Sequence, residues 1–197
     1  MAKARLVLST GAALAALLIA GCDRESSEDA QASDAVEGPS YADMVLGEPD
    51  PIFAGDAMPE VTLVNPAGEQ LALHEVGEPV LMNLWATWCA PCVVEMPLLN
   101  DLAADYAGRL QVITVNEDGR GNEPVEAFFA EHDLPNLPQW IDHDLAVAEA
   151  FGGGPGLPIT VLYDAEGREL WRVIGDYDWS SEEARTRIDE ALAASAE

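Results

Sequence analysis

Basic side chains are nearly missing from this chain. Its 197 residues hold nine lysines and arginines against 36 acidic residues, a formal net charge of −27. The only lysine is Lys3. A surface so poor in cations does little to neutralise a phosphate backbone, which makes nucleic acid and anionic surfaces poor partners. Histidine is scarce as well: His74, His132 and His143 stand apart from one another, and a surface or loop place suits them better than a ligand role. A structural zinc needs about four ligands, and one close cysteine pair among three cysteines does not supply them. No metal and no separate cofactor are expected. No internal repeat divides the chain, whose length fits one ordinary domain with non-globular additions.

What is present at the start is a processing signal. Lys3 and Arg5 make a basic opening, Leu6 to Ala20 a short apolar run, and Ile19-Ala20-Gly21-Cys22 sets small residues before a cysteine. The run is short for a membrane span of about 20 residues. Its flanks suit a cleaved signal peptide better than an uncleaved anchor. Residues 1–22 therefore read as a lipoprotein signal ending at Cys22, the residue to be lipidated, and either reading tethers the remainder to a membrane outside the cytoplasm. Asp23 resembles a bacterial signal for retention on the periplasmic side of the inner membrane. Beyond Cys22, seven basic residues face all 36 acidic ones, a net of −29. Residues 23–50, rich in Ser, Ala, Asp and Glu, read as a flexible acidic linker. Tyr41 and Phe53 are the aromatics expected to touch the domain edge, and the folded part, 51–197, opens near Pro51.

One stretch organises that folded part. The strand-like run Val80–Trp85 leads through Trp88 into Cys89-Ala90-Pro91-Cys92. Val93, Val94, Met96, Leu98, Leu99 and Leu102 then follow at helical spacing. The first cysteine thus sits at a helix N-terminus, where unpaired backbone N–H groups and the helix dipole favour a thiolate. Cys89 is the expected exposed attacker and Cys92, one turn in, the more buried resolver. A permanent bridge or half of a zinc site are the rival readings. A Cys-x-x-Cys beside a βαβ pattern favours redox chemistry, and with Cys22 assigned to lipid no odd thiol remains.

Trp88-Cys89-Ala90-Pro91-Cys92 resembles the active-site motif of the thioredoxin superfamily. The longer string from Asn83 to Pro97 resembles the TlpA/ResA-like membrane-tethered thiol-disulfide oxidoreductases, and the similarity extends over roughly residues 55–195. The resemblance implies an α/β thioredoxin fold, a central mixed β-sheet flanked by helices, with an N-terminal β-hairpin extension. It also implies a cis Leu157–Pro158 bond beside the disulfide. Relatives of this kind act mostly as reductants of apocytochrome c or copper-site cysteines, drawing electrons from a membrane thiol reductase. The expected partners here are therefore client proteins carrying disulfides or thiols, met by a monomer. A disulfide-forming oxidant and a Cu(I)-binding metallochaperone are the alternatives. Soft thiolates suit Cu(I), but no methionine or histidine motif accompanies them. The acidic surface is either a solvated coat or a means of steering basic clients.

The remaining elements follow from pattern. Val61–Val64 and Gln70–Leu73 form a hairpin around Asn65-Pro66-Ala67-Gly68. Helices are expected over Ala90–Tyr106, kinked at Pro97, over Val125–His132 after Pro124, over Leu145–Phe151, and over Glu182–Ala194 capped by Ser180 or Ser181. Strands are expected over Leu110–Val115, parallel to Val80–Trp85, near Trp140–Asp142, and over Leu157–Tyr163 and Glu169–Ile174, paired antiparallel. Trp88, Ala90, Pro91 and Leu157 make the expected docking surface. Glu95, one turn beyond Cys92 on a similar face, is either a solvated helix charge or a partly buried proton relay with a raised pKa. The resemblance implies the relay. Asn83 stands where plain thioredoxin has a buried aspartate; its amide exchanges no proton near neutral pH, which leaves that duty to Glu95 or water.

Overall fold

The computed structural model describes residues 39–119 and 121–196. The expected signal peptide, Cys22 and most of the expected linker lie outside them. The strand Val80–Trp85 (β3) occupies the middle of a seven-stranded mixed sheet, and all six of its side chains are buried. A run of buried positions at period two needs cover on both faces, and that is how the fold is layered. Leu81 and Trp85 belong to one core cluster, Val80, Met82 and Leu84 to the other. Each such large apolar side chain contributes about 1.5–3 kcal/mol on burial.

The sheet order is β2-β1-β5-β4-β3-β6-β7. Thr62–Val64 (β1) and Gln70–Ala72 (β2) form the N-terminal hairpin, and β1 joins the main sheet through Val64 opposite Ile141. Gln111–Asn116 (β4) runs parallel to β3, with Trp140–Ile141 (β5) parallel beyond it. On the other side Ile159–Tyr163 (β6) and Glu169–Ile174 (β7) run antiparallel, closed by the Asp164–Gly167 turn. Ala90–Asp105 (α1), Glu123–Glu131 (α2) and Glu182–Ser195 (α4) supply Met96, Leu99, Leu102, Val125, Phe128 and Ile188 to the first cluster. Ala146–Ala150 (α3) contributes Val147 to the second, with Leu63, Leu73, Met44 and Met58.

The mixed sheet, the parallel β3–β4 step and the hairpin extension agree with the sequence reading, with boundaries moved by one or two residues. The helix α1 runs as one element through the exposed Pro97. Ser181, and not Ser180, caps α4 by accepting from Ala184 N at 3.1 Å.

Tyr41 and Phe53 touch the domain as expected, and with them packing reaches back into the stretch read as linker. Packing begins near Tyr41, not Pro51: a short 3-10 turn spans Tyr41–Asp43, Met44 is buried, and Gly47 N donates to Ile174 O at 2.8 Å. The cause is Arg172 on β7, which is 3% exposed. Its Nε donates to Glu169 Oε1 at 2.6 Å and its Nη1 to the Tyr41 hydroxyl at 2.6 Å, while its Nη2 pairs with Glu169 Oε2. The guanidinium also lies 4.0 Å from the Phe53 ring centre and 4.9 Å from that of Phe151. A cation enclosed by aromatic rings, with each of its three nitrogens hydrogen-bonded, draws the preceding segment onto the sheet.

Candidate active site

The chain leaves β3 at Trp85, passes Ala86 and Thr87, and enters α1 at Cys89. Asp118, just past β4, anchors this turn: its carboxylate accepts from Thr87 N at 3.2 Å, Thr87 Oγ1 at 3.0 Å and Asn116 Nδ2 at 3.0 Å. Cys89 is the N-cap of α1, and its Sγ accepts from Cys92 N at 3.3 Å. A backbone N–H aimed at sulfur favours the thiolate form once the bond is reduced. Cys89 and Cys92 are joined as a disulfide. Both are buried, Cys89 at 5% exposure and Cys92 at 1%. The expectation of an exposed Cys89 is thus corrected for the oxidised form; the two differ only slightly, because both join the core cluster that holds Trp85, Ala86 and Met96.

Around the pair the expected docking residues are accessible. Trp88 is 58% exposed, Ala90 and Pro91 are exposed, and Leu157 is half-buried. The Leu157–Pro158 bond is cis and Pro158 is buried. Leu157 and Trp88 line one groove of about 210 Å³, so the two chain segments expected to meet a client do come together. Asn83 is buried in the sheet and donates to Thr160 Oγ1 at 2.8 Å, a polar pair between adjacent strands with no titratable partner in it.

Glu95 is more buried than the sequence suggested, at 2% exposure. The loop after β7 covers it. Tyr177 N donates to Oε1 at 2.6 Å, while Oε2 finds no hydrogen-bond partner among the described residues. Burial pushes the Glu95 carboxyl up to about 7. The Tyr177 amide and the nearby Trp179 indole oppose that shift, and Asp176 adds to it. The Trp179 N–H does not itself reach hydrogen-bonding geometry. Glu95 also lines a groove of about 300 Å³ with Pro91, Val94, Leu98 and Tyr177. A carboxyl that titrates near neutrality, one turn past Cys92, is suited to carry a proton during exchange.

Sequence reasoning missed three participants: Asp118, the 176–179 loop, and Glu117. Glu117 follows β4 directly, its N–H bonded to Trp85 O at 2.8 Å. It is 6% exposed, neither carboxylate oxygen has a partner among the described residues, and burial, reinforced by Asp142, pushes its carboxyl up to about 8. The available signal was an acid where Val112-Ile113-Thr114-Val115 would continue, obscured by so acidic a composition. The histidines are spread through the fold. Among the described residues no group of three or more His, Cys, Asp or Glu is placed to hold a metal ion.

The arrangement fits one family. The family description named Redoxin matches residues 53–189. The chain belongs to the Redoxin family. The chain is similar to the thiol-disulfide oxidoreductase ResA of Bacillus cereus, 30% identical over 124 residues, covering 62% of this chain and 70% of that one. It is also similar to the ResA of Geobacillus thermodenitrificans, 34% identical over 119 residues, 59% and 67% of the two chains. Among solved structures, the protein from Chlorobium tepidum assigned as a thiol:disulfide interchange protein DsbE aligns at a TM-score of 0.61 with 27% identity, over 71% of this chain and 97% of that one. The chain is a ResA-like member of the thioredoxin superfamily, a thioredoxin-like thiol-disulfide oxidoreductase.

Proposed function

We propose that the protein is an extracytoplasmic reductant of client disulfides, held by lipid on Cys22 at the periplasmic face of a bacterial inner membrane. Its clients would be apocytochrome c or copper-site proteins of oxidase assembly, and a membrane thiol reductase would return its electrons. The observation that carries the chemistry is the Cys89–Cys92 pair at the capped start of α1, with Sγ of Cys89 accepting from the Cys92 amide. The motif's resemblance to reductive relatives supports the direction, and the Ile19–Cys22 signal supports the tether. Among the described residues no helix is long and apolar enough to cross a membrane.

The reaction starts from the reduced pair. The Cys89 thiolate attacks one sulfur of a client disulfide, forming a Cys89–client bond and expelling the other client sulfur as a thiolate. Cys92 then loses its proton and attacks Cys89 Sγ, which closes the Cys89–Cys92 disulfide and expels the second client thiolate. Two electrons pass from the protein pair to the client; one proton comes from Cys92, and the other, already released when Cys89 ionised, comes back from solvent. Glu95 takes the Cys92 proton and hands it to the leaving thiolate; its pKa of about 7 allows both steps near neutral pH.

Trapping in cells of the native host tests this mechanism. The Cys92→Ser chain should accumulate mixed disulfides through Cys89, whereas Cys89→Ser should form none and lose turnover. Turnover equal to that of the parent in either variant would overturn the assignment.

A further inference from the structure

The groove beside Trp88 holds a feature that disulfide exchange does not use. Its apolar walls include Trp88, Leu145, Leu157 and Ile159, and Glu117 lines it with them. Leaving a polar group buried without a partner costs about 1–3 kcal/mol, more when it is charged. Donors of the adjoining segments bond to other acids: those of Thr87 and Asn116 to Asp118, and the Val147 amide to Asp142 Oδ2 at 2.6 Å. The two oxygens of Glu117 are thus left unmatched by the described protein, and they form an acceptor pair once a cation displaces the carboxyl proton.

The groove's edge is also atypical. Leu145 sits at φ 57°, the one described residue other than glycine with positive φ, and is 41% exposed. A bulky residue held in the left-handed region marks a site where the surroundings impose a strained conformation, as binding sites do. Trp88 immediately precedes Cys89, and Leu157 immediately precedes the cis-Pro158. A client chain lying with its cysteine against Cys89 therefore brings a neighbouring side chain to this groove.

We propose that the groove is a specificity subsite for an arginine flanking the client's reactive cysteine. The aliphatic stem lies along Leu145, Leu157 and Ile159, the guanidinium stacks on Trp88, and its paired N–H groups meet both oxygens of Glu117. The size suits one side chain, since a cavity of about 150 Å³ already accommodates benzene. The carboxyl oxygens are closed to water in this state, so the guest displaces the side chains that cover them. Charge agrees: with Asp118 and Asp142 close by and a net charge of −27, a cation is the guest this face admits. The proposal rests on Cys89 as the attacking sulfur and adds the substrate class that Cys89 meets.

The test uses the reduced full chain carrying Cys22→Ser, so that only the active pair reacts. The probes are synthetic peptides with a single cysteine capped as a thiopyridyl disulfide and with arginine, norleucine or glutamate at each position within three residues of it. Arginine at one of these positions should raise the second-order rate constant about tenfold over norleucine. In Glu117→Gln and Glu117→Leu that ratio should fall toward one. An arginine preference that survives both variants is general steering by the acidic surface and overturns the subsite. Equal rates for all peptides in the unsubstituted groove also overturn it, while leaving disulfide exchange intact. If no peptide is reduced, the oxidoreductase mechanism itself falls and the subsite with it.

Discussion

Two buried carboxyls, Glu95 and Glu117, hold their protons more tightly than carboxyls in water, at about 7 and about 8 against an ordinary 4.5. The consequence for stability has a definite sign. A carboxyl whose folded pKa lies above its unfolded one stabilises the fold below pH 4.5, and that contribution is lost as pH rises through the folded value. For Glu95 the difference amounts to about 3 kcal/mol above neutrality. Glu95→Gln, an isosteric and permanently neutral side chain, should therefore leave stability unchanged at pH 4 and raise it by about 2–3 kcal/mol at pH 8. Denaturant unfolding at the two pH values checks this, and the same variant should lose the inflection near pH 7 in the rate of disulfide exchange. An unchanged stability difference and an unchanged rate profile together would make Glu95 a solvated surface charge.

Among the elements, β7 does unexpected duty as the anchor of the N-terminal segment. Removing one member of a buried pair leaves an uncompensated charge and costs about 3–5 kcal/mol, whereas replacing both with apolar groups of similar volume is often neutral. Arg172→Leu should thus destabilise the protein by about that amount, and Glu169→Leu in the same chain should restore most of the loss. Limited proteolysis should show the Tyr41–Phe53 segment released in the single variant alone; a single variant as stable as the parent would contradict the clamp. Elements like β3, α1 and the β6–β7 hairpin were legible because each carries its own period, caps and turn residues within one continuous stretch. The Arg172 clamp was not, because its members lie 131 residues apart and composition argued for a free acidic spacer. Glu95 was legible from its spacing to Cys92, yet its cover was not: Tyr177 lies 82 residues away in a loop with no periodic signal. Glu117 was hidden for a related reason, since burial of a single acid among 36 leaves no mark on the chain.

For the whole molecule, the sheet places both cysteines, the cis-Pro158 bond, Glu95 and the Trp88 groove around the start of one helix, and everything else supports that corner. The central claim is that the corner donates electrons to client disulfides. The direct measurement is the reduction potential of the Cys89–Cys92 pair, by equilibrating the full chain carrying Cys22→Ser with dithiothreitol or glutathione buffers. The account predicts a value near or below that of thioredoxin, about −270 mV. A value near about −120 mV, the range of a strong disulfide-forming oxidant, would contradict it.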